Sequence, residues 1–340
     1  MSIEEVAAPV LDHLQRLTDR HGLFEHARYG EPRRDQGYCL DDVARALVVT
    51  CREPRPDPRL HRLARQYLDF TLSAVQPDGS CHNRMNADGH WNDAPGLGDW
   101  WGRALWGLGV AAVQAPTQAM RASALLGFRT AARCRSPHRR AMAFAALGAG
   151  ELLLDRPDEL SARELLPEAV AAIGGGDANR DWPWPEPRLS YANGSIVEAL
   201  LVAGAALPDA AAHSRGLRLL KFLLDTETRD EHLSLTAVTG RGRGESAPCF
   251  DQQPIEAAAL ADACARAYDL TGDPQWLRGL RMAWAWFIGD NDNGTVMYDP
   301  ATGGGFDGLQ RQGCNMNQGA ESTLALLSTA QQAIRLGVLR

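Results

Sequence analysis

Five carboxylates stand at or just before the starts of apolar segments of this 340-residue chain: Asp41, Asp42, Asp99, Asp251 and Glu321. Glu321 has no cation three or four residues further along the chain. Burial near other acids would raise its pKa, which suits a general acid. Asp42 or Asp251 is the expected base, and Asp99 is the next candidate. We therefore expect an acid–base site that combines carboxylates from several segments.

Each of these acids also has a purely structural interpretation. Asp41 suits the cap of a helix, and Asp42 lies three residues before Arg45, a spacing at which ion pairs form on helices. Asp99 could likewise cap its segment and pair with Arg103 four residues later. A cap or an ion pair explains Asp41 or Asp42 taken singly, and it explains the adjacent pair less well.

A second group of residues in the same loops has the chemistry to bind a saccharide. Amide and carboxylate groups hydrogen-bond to hydroxyls, and flat aromatic rings cover the apolar faces of sugar rings. The candidate substrate-binding residues are Asp41, Tyr38, Trp101, Arg103, Trp182, Trp184, Tyr191, Gln252, Gln253, Asp307, Asn315, Asn317 and Gln318. Paired carboxylates beside such residues fit the cleavage of a glycosidic bond.

Neighbouring tryptophans give the clearest aromatic signal. Trp100 and Trp101 cannot both face the same side of one helical turn, so at least one of them should face the loops. Trp182 and Trp184 alternate with two prolines, which makes a stiff platform that loses little entropy on binding. Filling of the hydrophobic core is the competing interpretation for all four residues.

Several common catalytic motifs are missing from the sequence. It contains no His-Glu-x-x-His, no Cys-x-x-Cys and no Gly-x-Ser-x-Gly. The run of glycine and arginine at 240–244 has no strand pattern ahead of it, so it is weak evidence for a phosphate loop. The Asp/Asn run at 290–294 departs from a calcium loop and is interpreted as a turn. We therefore predict neither a bound metal nor a cofactor.

Composition limits the partners of the chain. Its net charge is −7 and it has no basic run, which argues against nucleic acid. Its seven cysteines form no short disulfide pattern, which suggests a reducing compartment. No signal peptide and no apolar stretch of about 18 residues is evident, so we predict a soluble cytoplasmic protein without a membrane span.

Helical periodicity dominates the sequence and defines the elements that must position these residues. Twelve helical segments are predicted, with little convincing strand. They are 4–20, 41–51, 59–75, 99–114, 117–133, 138–155, 161–173, 194–206, 209–224, 254–271, 275–288 and 319–335. The odd-numbered segments are amphipathic, and the even-numbered ones are small and apolar nearly all round, so the even segments should be buried.

The connecting loops alternate as well. Five of the six links that lead into an even segment are long, whereas the reverse links are mostly short. This alternation predicts an all-α, closed (α/α)6 toroid of six helical hairpins, in a single catalytic domain over residues 1–340. The long loops would lie together over the N-termini of the inner helices, where a partial positive potential favours carboxylates and polar ligands. Independent helical bundles are the competing architecture.

Four stretches together resemble a known family: 37–46 (GYCLDDVARA), 102–106 (GRALW), 250–254 (FDQQP) and 315–323 (NMNQGAEST). The chain resembles an (α/α)6-toroid domain that is found fused to bacterial family-4 glycosyltransferases or standing alone. The resemblance covers almost the whole chain and implies the six-hairpin glycosidase superfamily. It implies an inverting outcome and adds a glycosyltransferase to the expected partners, but it does not supply a substrate.

Three functions are compatible with the sequence. The first is a glycoside hydrolase that cleaves a bacterial oligo- or polysaccharide by paired-carboxylate catalysis. The second is a sugar epimerase or isomerase of the N-acylglucosamine 2-epimerase type, for which His26, His82 and His90 are possible bases, although none of them begins an inner segment. The third is a non-catalytic glycan-binding partner of a glycosyltransferase, which the clustering of acids disfavours because a binder of neutral sugars gains little from packed anions.

Overall fold

The structure, a computed structural model, describes residues 9–54, 58–174 and 181–339. This part of the chain forms twelve α-helices. They are α1 (Asp12–Arg16), α2 (Leu40–Arg52), α3 (Pro58–Ala74), α4 (Asp99–Gln114), α5 (Gln118–Ala131), α6 (Arg139–Asp155), α7 (Leu160–Ile173), α8 (Asn193–Ala206), α9 (Ala210–Glu227), α10 (Pro254–Thr271), α11 (Pro274–Phe287) and α12 (Ala320–Arg335). None of these helices is both long enough and apolar enough to cross a lipid bilayer.

The even-numbered helices form a closed inner ring. Each packs against the next, in the order α2, α4, α6, α8, α10 and α12, and α12 packs back against α2. Each odd-numbered helix packs on an inner one from outside, with α1 beside α12. The predicted (α/α)6 toroid is confirmed. The first predicted helix, 4–20, extends into residues 1–8, which lie outside the described residues, and its described part forms only α1.

Burial separates the two rings as the apolar pattern predicted. Twelve of the fourteen residues of α8 are buried, whereas only six of the eighteen residues of α9 are. A helix that is apolar all round gains most when neighbours cover every face, and an amphipathic helix leaves its charged stripe in water. This difference places α8 in the inner ring and α9 outside it.

The long loops contain short strands that the sequence did not predict. Six antiparallel two-stranded pairs occur in the described residues, all in loops that precede inner helices. They are Ala27–Arg28 with Glu31–Pro32, Tyr38–Cys39 with Arg84–Met85, Arg188–Leu189 with Arg241–Gly242, Thr228–Arg229 with His232–Leu233, Tyr298–Asp299 with Gly304–Gly305, and Gly308–Leu309 with Cys314–Asn315. Two of these pairs join different loops, so they tie the loops into one layer.

The inner helices approach one another closely because glycines line their contacts. A Cβ atom added to Gly109 of α4 would lie 2.4 Å from the carbonyl oxygen of Gly148 in α6. A Cβ atom added to Gly148 would lie 2.1 Å from the carbonyl oxygen of Leu105. Only glycine allows two helix backbones to pack at this distance, and the result is a narrow ring.

Aromatic and arginine side chains fill the centre of that ring. The rings of Trp106 and Phe144 stack with centroids 6.1 Å apart. The guanidinium of Arg103 lies 4.5 Å from the Phe144 ring centre, and that of Arg52 lies 5.4 Å from the Trp106 ring centre. A cavity of about 40 Å³ lies beside them. The axis is therefore closed, and ligands can approach only at its ends.

We expect Gly148→Ala to lower the free energy of unfolding by roughly 1–3 kcal/mol, because the new methyl group meets backbone that cannot move aside. Chemical denaturation measures this loss. Gly30→Ala is the matched control, since a Cβ there meets only side-chain atoms at 3.6 Å or more. Equal stability of the two variants would contradict the close helix contact.

Candidate active site

The rim is the end of the toroid where the inner helices begin, together with the loops that precede them. At the rim, Arg45 of α2 joins the first and last inner helices. Its Nη2 donates to Asp42 Oδ1 at 2.5 Å, and its Nη1 donates to Glu321 Oε2 at 2.8 Å. The single guanidinium of Arg45 thus holds Asp42 and Glu321, which come from opposite ends of the chain, close together.

Asp42 lies beneath Arg45 rather than in contact with solvent. Its side chain is 3% exposed, and it accepts a hydrogen bond from the Cys39 thiol at 3.1 Å. Burial raises the pKa of Asp42 to about 6, although the charge of Arg45 opposes this shift. The ion pair of Asp42 with Arg45 that the i,i+3 spacing suggested is present, so this acid supports Arg45 and has almost no surface for a ligand.

Glu321 is the more accessible of the two acids, with a side chain 35% exposed. Burial by itself raises its pKa, but the charges of Arg45 and Arg103 outweigh burial and the net pKa is lowered. The expectation of a raised pKa for Glu321 is therefore wrong. The sequence showed no cation at i+3 or i+4, whereas the actual partner is on another helix. A lowered pKa suits a base better than a proton donor.

Arg103 of α4 forms a second ion pair at the rim. Its Nη1 donates to Asp41 Oδ1 at 3.2 Å, while its guanidinium covers the Phe144 ring. The predicted pair of Arg103 with Asp99 is not formed in the described residues, because Arg103 turns towards Asp41 instead. Asp41 is thereby held at the rim with part of its carboxylate accessible.

Asp99, the first residue of α4, is half-buried, and the described residues place no cation within ion-pairing distance of its carboxylate. Burial raises the pKa of Asp99, and the more distant charge of Arg103 offsets this shift only in part. The charge of Arg103 lowers the pKa at both Asp99 and Glu321, but burial outweighs it at Asp99. Their pKa values are displaced in opposite directions.

Asp41 and Asp99 line an open cleft of about 690 Å³, here called the acidic cleft. Its walls are Asp41, Asn83, Gly96, Leu97, Gly98, Asp99, Trp100, Pro137 and His138. Trp100 is half-buried and donates from Nε1 to the Cys81 carbonyl at 2.8 Å, which fixes its ring at the cleft. The prediction that one of the two adjacent tryptophans faces the loops is met by Trp100.

Three predicted subsite aromatics are buried instead. Trp101 is fully buried and donates to the Ala131 carbonyl at 3.1 Å. Tyr38 donates to the Asp19 carboxylate and stacks on Phe24. Trp184 is buried beside α9. The alternative of core filling is correct for Trp101 and Trp184, and burial also leaves Tyr38 without a surface for a sugar.

The remaining predicted aromatics lie elsewhere. Tyr191 is half-buried, with the Arg140 guanidinium 5.0 Å from its ring centre. Trp182 is half-buried and lines a different cleft, which is described below. The aromatic residues predicted to form one platform are therefore distributed over separate surfaces.

Gln252 has no free group for a ligand. It is fully buried, and its Nε2 donates to Asp292 and to the Cys249 carbonyl. Its Oε1 accepts from Trp286 Nε1 at 3.1 Å. The predicted substrate-binding role of Gln252 is therefore replaced by a structural one, since it fixes the loop ahead of α10. Its neighbour Gln253 is half-buried at the start of that helix.

Asp251 is exposed, and no described contact joins it to Asp42, Asp99 or Glu321. Of these acids, Asp41 and Asp99 line one cleft, and Glu321 is joined to Asp42 through Arg45. A single basin that also includes Glu321 therefore stays a prediction.

The predicted polar residues of the last loop mostly hold that loop in place. Asp307 accepts from Gly319 N at 2.8 Å and from the Ser322 hydroxyl at 2.9 Å, and burial raises its pKa. Asn317 accepts from Tyr29 N at 2.9 Å, and Asn315 accepts from Asn317 N. Gln318 is buried and accepts from the Thr302 hydroxyl. These side chains determine where α12, and with it Glu321, begins.

His138, Trp100 and Asn83 line the acidic cleft but were not among the predicted site residues. His138 immediately precedes α6. It therefore lies at the start of an inner helix, unlike His26, His82 and His90. The loop before α6 is the one short link into an inner helix. The sequence-based candidates were taken from the long loops, so residues of this short loop were not among them. A search at every inner helix start would have found His138.

Glu25, Cys39 and Asp42 could offer metal ligands, since one donor atom of each lies within 4.8 Å of the others. Both carboxylates already bind arginines, Glu25 with Arg84 and Asp42 with Arg45. Burial raises the pKa of the Cys39 thiol well above its ordinary value, which opposes formation of the thiolate that a metal needs. The donor chemistry of this group does not favour a metal.

Ring closure, the narrow axis and the acid-bearing rim define a six-hairpin (α/α)6 toroid. Neither a protein-family model nor a curated protein sequence matches the chain.

Solved structures with this fold cover nearly the whole chain. A sugar epimerase from a ruminal bacterium aligns with a TM-score of 0.74 at 14% identity, over 98% of this chain and 97% of that chain. Cellobiose 2-epimerase from Bacillus thermoamylovorans B4167 aligns with a TM-score of 0.72 at 11% identity, over 96% of both chains. An α-mannanase from Bacteroides thetaiotaomicron aligns with a TM-score of 0.63 at 11% identity, over 96% and 94%.

These identities establish the fold alone. The neighbours include epimerases and glycoside hydrolases, so the fold is one that carbohydrate-processing enzymes use for more than one reaction. These structures do not bear on the glycosyltransferase partner that the sequence resemblance suggests, and that partner stays a prediction. The reaction must be argued from the residues of the rim.

Arg45→Met should lower the free energy of unfolding by roughly 3–5 kcal/mol, because it leaves Asp42 buried without its counter-charge. Urea denaturation measures the loss. The control is Arg65→Met, whose ion pair with Asp69 at 2.9 Å is more than half exposed at both partners and should contribute less than about 1 kcal/mol. If Arg45→Met lost no more free energy of unfolding than Arg65→Met, the buried ion pair of Arg45 with Asp42 would not be a major source of stability.

Proposed function

We propose that the chain is a glycoside hydrolase whose active site comprises the acidic cleft and the adjoining Glu321. The observation that carries this proposal is the cleft that places Asp41 and Asp99 beside Trp100, and it is supported by pKa values that are raised at Asp99 and lowered at Glu321. Glycosidic cleavage by paired carboxylates needs one protonated acid and one ionised partner. Two environments that raise the pKa of one carboxyl and lower the pKa of the other supply both.

The assignment of roles follows from this difference. Asp99 is the proton donor to the leaving oxygen, and Glu321 is the base that activates water. Asp41 hydrogen-bonds to sugar hydroxyls, and Arg103 holds Asp41 in place. Asp42 acts through Arg45, which it orients towards Glu321. Glu321 thus becomes the base instead of the acid that the sequence suggested, because its pKa is lowered. Asp99, which followed Asp42 and Asp251 as a candidate base, becomes the acid.

Binding of the sugar ring is proposed for the walls of the acidic cleft. Trp100 offers an immobilised aromatic face, and Asn83 adds an amide beside Asp41. The substrate is an oligo- or polysaccharide of bacterial origin, and inversion stays the proposed outcome. A water molecule activated by Glu321 would then attack the face of the sugar opposite Asp99.

An epimerase or isomerase is the second candidate, and specific histidines favour it. His138 lines the acidic cleft near Asp99, and His26 is half exposed and close enough to Glu321 to lower its pKa. Either imidazole could act as a base at a sugar carbon. The structures with the two TM-scores quoted above 0.7 are both epimerases.

The other expectations remain part of the proposal. We infer one catalytic domain over residues 1–340, a cytoplasmic location, no cofactor and a carbohydrate substrate. A glycosyltransferase is a further proposed partner on the strength of the sequence resemblance. A non-catalytic glycan-binding role would follow if the acids proved dispensable.

Hydrolysis predicts that Asp99→Asn and Glu321→Gln each lose about 10²–10⁴-fold in kcat, because each removes one proton-transfer group. A glycan library read out by mass spectrometry of reducing-end products first identifies the substrate. Asp88→Asn is the control, since Asp88 is an exposed acid of the loop that precedes α4 and should leave the rate unchanged.

The same library separates the two reactions. An epimerase would leave the glycosidic bonds intact and incorporate deuterium from heavy water at a sugar carbon. It would also lose activity in His138→Asn or His26→Asn. Full hydrolytic activity in both acid variants would remove the proposed assignment.

The pH dependence of kcat/KM should be bell-shaped. Glu321 must be ionised, and its pKa is lowered, so activity is lost only when the pH falls below the usual range of a glutamate. Asp99 must be protonated, and its pKa is raised, so activity persists above the usual range of an aspartate and is then lost as the pH rises. A rate that increases steadily with pH would contradict Asp99 as the proton donor.

A further inference from the structure

A second cleft, of about 800 Å³, lies beside the C-terminal half of α9 and shares no lining residue with the acidic cleft. We call it the outer cleft. Three segments line it: 181–182, 222–229 and 241–248. Two of these segments are the loops that the sequence singled out for their tryptophans and for their glycine–arginine run.

Two aromatic rings form one wall of the outer cleft. Trp182 and Phe222 are both half-buried, with ring centroids 5.3 Å apart and planes at 86°. Trp182 Nε1 donates to the Glu186 carbonyl at 2.8 Å, so the ring is held in one orientation. A fixed, partly exposed indole offers apolar contact at little cost in entropy.

Arg241 holds the wall of the same cleft in place. Only 2% of this residue is exposed, and its Nη1 and Nη2 donate to the carbonyls of Thr226 and Ser234 at 2.9 and 2.8 Å. These two bonds tie the segment that contains Arg241 to the end of α9 and to the loop that follows it.

The exposed charges around the outer cleft are paired, whereas the buried Arg241 binds carbonyl oxygens. Arg243 binds Asp181 at 2.7 Å. Arg188 binds Glu245 through two hydrogen bonds of 2.8 and 2.9 Å. Such pairs leave lone pairs and N–H groups for hydroxyls but little net charge at the surface for an anion. This balance disfavours phosphate as a ligand of the glycine–arginine run.

We propose that the outer cleft is a second carbohydrate-binding site, which takes a neutral oligosaccharide by stacking on Trp182 and by hydrogen bonding to Asp181, Arg243 and Glu245 in its wall. This inference rests on the proposed function, because it assumes a saccharide substrate long enough to be held away from the acidic cleft. The volume matches ligand sites that hold molecules of oligosaccharide size. The site supplies binding and takes no part in bond cleavage.

The test measures binding without turnover. The full chain carrying Asp99→Asn and Glu321→Gln is titrated by calorimetry with cellotetraose, with a tetrasaccharide prepared from α-mannan and with inorganic phosphate. We expect at least one tetrasaccharide to bind, and Trp182→Ala on this background to weaken that binding roughly tenfold, the factor expected for loss of one aromatic contact. Trp182→Phe is the matched control and should stay within about threefold of the background.

Three results would overturn the outer cleft: no binding of either tetrasaccharide at about 10 mM, unchanged affinity in Trp182→Ala, or binding of phosphate that depends on Trp182. Equal weakening in both Trp182 variants would also do so, and their circular dichroism spectra check that both fold. Failure here leaves hydrolysis at the acidic cleft untouched, because that is tested by product release. Conversely, Trp182-dependent binding without bond cleavage in the unsubstituted chain would keep this site and remove the proposed reaction.

Discussion

The ion triad of Asp42, Arg45 and Glu321 is the interaction on which the rest of the rim depends. It lies where the last inner helix meets the first, so the same contact closes the ring and sets the site. Desolvation makes a buried charge unfavourable unless its partner is held in good geometry. The buried Asp42 is that partner for Arg45. The other terminal nitrogen of Arg45 binds the more exposed Glu321 and favours its ionised form.

The closed axis explains why polar chemistry occurs at the two ends of the ring. Glycine contacts draw α4 and α6 together, and Trp106 and Phe144 then fill the space that remains. Arg103 covers this aromatic pair at the rim, and Arg52 covers it at the opposite end, where it binds Asp262 at 3.2 Å. The rim end carries the long loops, which bring Asn83 beside Asp41 and Asp99. At the opposite end, amides of the helices themselves, Gln114, Gln331 and Gln332, lie beside the charges.

The fold could be predicted because it follows from local pattern. Apolar inner helices, amphipathic outer helices and alternating loop lengths are all properties of neighbouring residues. The details of the site depend on distant contacts. Arg45 lies 276 positions before Glu321, so the cation that lowers the pKa of Glu321 was invisible to i,i+4 reasoning. The choice between Trp100 and Trp101 was likewise decided by which face of α4 its neighbours cover. Periodicity within one helix does not contain that information.

The distinction between hydrolysis and epimerisation reduces to which group at the acidic cleft holds a proton before reaction. Hydrolysis needs a neutral acid at the leaving oxygen, and Asp99 is kept neutral to higher pH by burial without a contacting cation. Epimerisation needs an unprotonated base at a carbon, a task for which a half-buried, protonated carboxyl is unsuited. His138 and His26 could serve as such bases, but the burial of Asp99 would then have no catalytic consequence. Because the pKa is raised at Asp99 and lowered at Glu321, the proposed hydrolysis uses more of what the rim provides.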